Sequence, residues 1–186
     1  MTVVGTPYTP ILGTLAYVWD RSTDRVLMVL RNARPDDEHL GKYNGLGGKL
    51  ESGEDIVTGM RREIAEEAEL EVTSMVLRGT INWPGFGANG EDWFGFVFLV
   101  DQWMGQPPSS NPEGTLHWIP RTRLLQACSA DEAEREVAAL PMWEGDRWFL
   151  PLVFDDDPRA FHGVMPYAQG RPQSWTVQRL ASSASR

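Results

Sequence analysis

Three glutamates, Glu63, Glu66 and Glu67, stand at spacings i, i+3 and i+4 in the stretch Gly47 to Leu70, GGKLESGEDIVTGMRREIAEEAEL. Carboxylates so placed on a helix repel by about 0.2–0.5 kcal/mol per pair. Counting about 100° per residue, Ile56, Val57, Met60, Ile64 and Ala68 share one apolar arc. Glu67 projects into that arc between Ile56 and Met60, while Glu63 and Glu66 step away along one flank. A carboxylate drawn toward a core is costly unless a cation meets it. A hard divalent ion supplies that charge, and Mg²⁺ takes one or two carboxylates together with waters and phosphate oxygens. An E-x-x-E-E helix taken alone is more often a solvated acidic face, so its neighbours must decide.

Those neighbours are specific. Gly47 and Gly48 suit a tight turn, Ser52 or Gly53 suits a helix cap, and Glu54 and Asp55 favour a helix N-terminus, so a helix is predicted from about Glu54 to Ala68. Gly48, Glu54, Arg62, Glu63, Ile64, Glu66, Glu67 and Leu70 fall on the pattern G-x5-E-x7-R-E-U-x-E-E-x-G-U, with U a bulky aliphatic. This resembles the signature of the Nudix hydrolases. The resemblance implies Mg²⁺, or Mn²⁺ in its place, held by Glu63, Glu66, Glu67 and the Gly47 carbonyl. It implies a structural ion pair between Arg62 and Glu54, and a Lys49 that contacts phosphate or else points to solvent. The implied fold is an α/β/α sandwich with a mixed sheet, and the implied reaction is attack of water on a phosphorus of a nucleoside diphosphate linkage. One position departs from the pattern: Glu69 stands where the family has a glycine that ends the helix in a left-handed conformation. Such a residue costs about 1 kcal/mol there or shifts the cap.

With 186 residues, 41% hydrophobic and 23% charged, the chain fits one globular domain over residues 1–180, with a small polar tail at 181–186 expected to be disordered. The net charge of −9 argues against binding a nucleic acid polymer, which needs a basic stripe. Cys128, the single cysteine, excludes an internal disulfide and a cysteine-based zinc site. Neither a leader pattern nor a bilayer-spanning apolar run is present, so a soluble, cytoplasmic protein with no membrane partner is expected.

Along the chain, runs at Ile11 to Trp19 and Arg25 to Leu30 read as a hairpin around a polar turn, after a loose arm from Met1 to Thr9. Arg31, at the strand exit, reaches a phosphate or is an ordinary surface arginine. Asn32 to Gly41 is a solvated loop able to fold over a site mouth, with His39 a plain loop residue. Asn44 precedes the glycines, and its amide can both donate and accept, as a base edge requires. Strands follow over Glu71 to Trp83, Asp92 to Trp103 and Thr115 to Ile119, with turn-rich loops between them. Helices are expected from Pro120 to Leu125, from Ser129 to Leu140 with Ala133, Val137 and Leu140 inward, and from Asp146 to Phe154. Late strands are expected at Phe161 to Tyr167 and Ser174 to Val177.

GKYNGLGGK at Gly41 to Lys49, MWEGDRWFLP at Met142 to Pro151 and FHG at Phe161 to Gly163 are similar to segments of the oxidised purine nucleoside triphosphate diphosphatases. That second resemblance spans most of the chain. It implies that Asn44 and an aspartate pair read a purine while Trp143 stacks on it, and that Glu113 adds a carboxylate to the metal site. Here Asp146 matches the second aspartate, which could equally cap the following helix, and Gly145 replaces the first. The helix at 129–140 is an insertion expected to lie over or beside the base pocket. Three functions are open on the sequence. One is a purine nucleoside triphosphate pyrophosphohydrolase, another a hydrolase of ADP-ribose or a dinucleoside polyphosphate, and the third a nucleotide-binding regulator without turnover.

Overall fold

The computed structural model describes residues 7–179, so the expected disordered tail and most of the expected N-terminal arm lie outside the described residues. In chain order the elements are strands β1 (Ile11–Asp20), β2 (Arg25–Arg31) and β3 (Tyr43–Asn44), helix α1 (Ile56–Ala68), and strands β4 (Glu71–Trp83), β5 (Trp93–Met104), β6 (Ser110–Asn111) and β7 (Gly114–Pro120). Helices α2 (Arg121–Gln126), α3 (Glu132–Ala138) and α4 (Asp146–Val153) follow, and then strands β8 (Phe161–Val164), β9 (Tyr167–Ala168), β10 (Arg171–Pro172) and β11 (Thr176–Arg179).

One sheet runs in the order β11-β8-β4-β5-β1-β2-β7-β6, with β3 beside β2, and β9 and β10 pair separately. The β1/β5 and β4/β8 pairings are parallel and the others antiparallel, which makes the sheet mixed. Period-two alternation splits each central strand between two cores. Ala16, Val18, Leu27, Val29, Phe98 and Val100 face α1, packing with Met60 and Ile64. Tyr17, Val26, Met28, Val97 and Leu99 face the opposite layer, with Phe149, Leu150 and Val153 of α4. The result is the expected α/β/α sandwich.

Two polar devices, one buried and one at the surface, fix the helix layers. The Arg78 guanidinium on β4, 6% exposed, donates to the carbonyls of Val153 (2.8 Å), Leu152 (3.2 Å) and Asp155 (2.9 Å), so it satisfies the free carbonyls at the C-terminal end of α4. Asp55 caps α1, its Oδ1 accepting from the amides of Val57 (2.8 Å) and Thr58 (3.0 Å). The cap is therefore Asp55, neither Ser52 nor Gly53, and the helix starts at Ile56. Val57 is consequently exposed, and Gly59 takes the inward position against Leu50, whose Cδ2 lies 2.3 Å from where a Cβ would stand.

The helix expected at Ser129 to Leu140 is shorter, Glu132–Ala138, and its inward face differs from the expectation. Val137 is 76% exposed, while Ala138 and Leu140 are buried. The cause is at its end: Ala139 turns into the left-handed region, and Arg123 of α2 donates to the carbonyls of Ala138 (2.7 Å) and Ala139 (3.0 Å), which rotates Ala138 inward. Among the described residues, no helix is long and apolar enough to cross a membrane.

Candidate active site

The glycine run is built into the sheet. β1 pairs with β2 only from Val18 to Asp20, and ahead of that Leu46 to Leu50 takes the same edge. Ala16 and Leu46 exchange backbone bonds of 2.7 and 3.0 Å, and the Thr14 amide donates to the Gly48 carbonyl at 2.8 Å. The glycines therefore serve close approach rather than the tight turn expected. A Cβ on Gly47, at φ 146°, would lie 2.1 Å from the Thr14 carbonyl oxygen, and one on Gly48 would lie 2.6 Å from Glu63 Oε1.

This approach delivers the Gly47 amide to α1, where it donates to Glu67 Oε2 at 2.8 Å. Glu67 does project into the apolar face, at 9% exposure. Burial first, and then the charge of Glu113, hold its carboxyl well above the usual carboxylate range. Glu63 is raised too, chiefly by burial and against the pull of Arg62. Arg62 holds Glu54 in a fork, Nε to Oε1 at 2.7 Å and Nη2 to Oε2 at 3.0 Å. Its Nη1 reaches Glu63 (2.9 Å) and the more exposed Glu66 (3.3 Å), and its Nη2 reaches the Lys49 carbonyl (3.2 Å).

Glu113 arrives from the β6–β7 turn. Asn111 Oδ1 accepts from the amides of Glu113 and Gly114, both at 2.9 Å, and Asn111 Nδ2 donates to the Glu67 carbonyl at 3.0 Å. The turn is thereby docked on the end of α1. Arg31 faces the cavity, but its partners are carboxylates: Nη1 pairs with Glu113, and Nε donates to Asp37 at 2.7 Å. Among the described residues, no three Asp, Glu, His or Cys side chains already converge at ligand distance, because Glu63 and Glu66 are turned onto Arg62 and Glu113 onto Arg31. The donor set still suits a hard divalent ion. It is all oxygen, and Glu67 is a buried acid beside other acids with one amide as partner.

Beside Glu113 a cavity of about 430 Å³ runs between the sheet and the start of α4. Its lining includes the rings of Trp83, Phe86, Trp93, Trp143 and Phe149, with Asn44 and Asp146 as polar groups. Asn44 Nδ2, Thr14 Oγ1 and Trp93 Nε1, all on residues of this lining, are buried with no hydrogen-bond partner. Three unmet donors in one cavity are the mark of a site that receives a ligand with acceptors. Half-buried Asp146 is the first residue of α4 and caps nothing; burial pushes its carboxyl up to about 7. Trp143 is set by its Nε1, which donates to His39 Nδ1 at 2.8 Å, and by Lys42, whose Nζ lies 4.2 Å from the ring centroid. Lys49 Nζ lies 5.4 Å from the Trp93 ring, also in the lining.

The structure thus gathers Arg31, Asn44, Gly47, Lys49, Glu113, Trp143 and Asp146 around one cavity, with Glu67 behind Gly47. Glu54 and Arg62 stand behind Glu63, and Glu66 stays 60% exposed on the flank. Sequence reasoning missed Thr14, Trp83, Phe86, Trp93 and Tyr167, and it read His39 as a plain loop residue. A buried hydroxyl in a strand carries no signal in sequence, and an aromatic in a strand reads as core. The insertion helix α3 packs on α2 and none of its residues lines the cavity, so of the two expected placements it does not lie over the pocket.

This fold and this glycine-carboxylate arrangement are those of a Nudix hydrolase, and the NUDIX domain profile matches residues 9–150: the chain belongs to that family. Nudix enzymes hydrolyse acid anhydrides and generally work with divalent metal ions. The chain is similar to the uncharacterized Nudix hydrolase YvcI of Bacillus subtilis (strain 168), 26% identical over 151 residues, covering 79% of this chain and 82% of that one. It is 31% identical over 113 residues to the oxidized purine nucleoside triphosphate hydrolase of Mus musculus, covering 61% of this chain and 63% of the mouse protein. In structure it resembles a mutator MutT protein from Bacillus halodurans, with a TM-score of 0.70, 25% identity, and coverage of 90% of this chain and 97% of that one.

Proposed function

We propose that the protein is a Mg²⁺-dependent nucleoside triphosphate pyrophosphohydrolase, with Mn²⁺ able to replace Mg²⁺. It converts a purine nucleoside triphosphate, oxidised forms such as 8-oxo-dGTP among them, to the monophosphate and pyrophosphate. The observation that carries this reading is one cavity lined by two unlike kinds of group. Aromatic rings and unmet hydrogen-bond donors line it together with carboxylates and Lys49, whose Nζ stands 5.4 Å from the Trp93 ring. A purine triphosphate has the same division between a flat, hydrogen-bonding base and an anionic chain. The mouse relative's name points the same way.

Glu63, Glu66, Glu67 and Glu113, with the Gly47 carbonyl, would hold the ion. When bound it polarises a phosphoryl oxygen and lowers the pKa of a water. Arg62 and Glu54 keep Glu63 against Gly48, and the Gly47 amide orients Glu67. Lys49 adds a positive charge for the phosphates, which an acidic protein otherwise repels. Asn44 and Asp146 read the base edge, and the rings of Trp143 and Phe86 shelter its face from water.

The test is a nucleotide panel with Mg²⁺, scored for pyrophosphate, inorganic phosphate and monophosphate. Purine triphosphates should give monophosphate and pyrophosphate in equal amounts. Glu67→Gln, nearly isosteric, should lower turnover by at least about 100-fold with the fold intact. Preferential cleavage of ADP-ribose or a dinucleoside polyphosphate, or binding without turnover of any nucleotide, would replace this reading. Wild-type turnover by Glu67→Gln at saturating Mg²⁺ would mean that the site is misassigned.

A further inference from the structure

Position 145 is glycine for a steric reason supplied by another part of the chain. A Cβ there would lie 2.4 Å from Tyr167 Oη and 2.5 Å from Met165 Sδ, where about 3.4 Å is ordinary contact. The space that a side chain at 145 would enter is already filled by a phenol. Tyr167 is 9% exposed and lines the same cavity as Asn44, Trp143 and Asp146. Its position is fixed. The Tyr167 amide donates to the Pro84 carbonyl at 2.7 Å, and its ring stands edge-on to Phe86, centroids 5.0 Å apart. Residue 167 also pairs with Pro172 in the small β9–β10 hairpin. Burial, and then the charges of Asp146 and Glu144, keep the phenol protonated well above its ordinary range.

We infer that Tyr167 is a base-reading residue, its hydroxyl standing where a side chain at 145 would and forming with Asp146 a phenol–carboxyl pair that faces the hydrogen-bonding edge of a purine. This rests on the purine reading above. The pair differs chemically from two carboxyls. Two adjacent acids can share protons and switch between donating and accepting. A protonated phenol does both at once and rotates about its C–O bond to choose. It donates to a ring nitrogen or carbonyl of one purine and accepts from the amino group of another. Such a pair favours purines by reach, since a pyrimidine edge stops short of it, but separates one purine from another weakly.

The experiment pairs kinetics with binding that needs no turnover. Tyr167→Phe removes only the hydroxyl. It should lower kcat/KM for dGTP by about 3- to 10-fold, through KM, with a several-fold smaller loss for dCTP. Quenching of tryptophan fluorescence by dGMP, without metal, should show the same weakening, with dCMP as the comparison. Gly145→Ala should weaken dGMP binding strongly in the wild-type background, because its methyl displaces the Tyr167 hydroxyl. In the Tyr167→Phe background the same change should cost less, since the hydroxyl is gone and only the contact with Met165 Sδ, at the end of a flexible side chain, remains. Equal losses on dGTP and dCTP, additive effects of the two substitutions, or no dGMP binding by the wild type would each overturn the inference. If dGMP binding depends on Tyr167 but no triphosphate is cleaved, the hydrolase reading fails and this one stands.

Discussion

Glu69→Gly should raise stability, and the size of the gain follows from one backbone position. Glu69 ends α1 at φ 55°, ψ 30°, with its amide donating to the Ala65 carbonyl at 3.1 Å. The helix therefore ends where a glycine would end it, and a residue with a Cβ is held in the left-handed region at a cost of about 1–2 kcal/mol. Glycine removes that cost but gives back about 0.5–1 kcal/mol because its unfolded chain is more flexible. A second gain is electrostatic, since a carboxylate at a helix C-terminus opposes the macrodipole by about 0.3–1 kcal/mol. The net expectation is about +1 kcal/mol, or roughly 2–4 °C in Tm for a chain of this size. Urea titration should show a higher midpoint with an unchanged slope. Glu69→Gln separates the two contributions, because it keeps the strain and removes the charge, and its gain should fade in high salt. Glu69→Ala, with strain retained, should recover no more than the Gln variant. If Glu69→Gly is no more stable than Glu69→Gln, the left-handed cap carries no strain and the reasoning fails.

Asp146→Asn should flatten the pH dependence of stability. The wild-type carboxyl is raised to about 7 in the folded protein, so its contribution is fully present below about pH 4 and is lost as pH rises through 7. The ceiling is about 4 kcal/mol, cut to about 1–2 by water reaching the half-buried group from the cleft. The variant should therefore gain on the wild type between pH 5 and 8, and parallel urea midpoints across that range would contradict the burial of the charge. Arg31→Met should release the loop at residues 32–41, since Asp37 loses its ion pair, a charged hydrogen bond of about 1.5–3 kcal/mol. Amide exchange in that loop should quicken by tenfold or more, and unchanged protection would show that Arg31 does not pin it. On α3, Val137→Lys should change stability by less than about 0.5 kcal/mol, whereas Ala138→Asp should cost at least 2 kcal/mol. The reverse order in urea titrations would restore the helix face expected from sequence.

The sequence by itself determined the carboxylate-bearing helix and the layers around it. Glu63, Glu66 and Glu67 at fixed helical spacing, glycines at 47 and 48, and period-two strands are local patterns, and local patterns survive in a linear string. The direction of Glu67 followed from 100° per residue alone. Where the expectation slipped, a contact outside the helix pattern had intervened: the Asp55 cap, with Leu50 packed on Gly59, left Val57 outside, and Arg123 turned Ala138 rather than Val137 inward. The tertiary structure alone decided what fills the cavity. Arg31 meets Glu113, His39 holds Trp143, and Asn111 seats Glu113 at the end of α1. Each contact joins segments that only the folded sheet brings together. Gly145 shows the division most clearly. From the sequence it is a missing side chain. In the fold it is the space that Tyr167 occupies, because a short hairpin after β8 returns the chain to the mouth of the same cavity, and no spacing rule encodes that return.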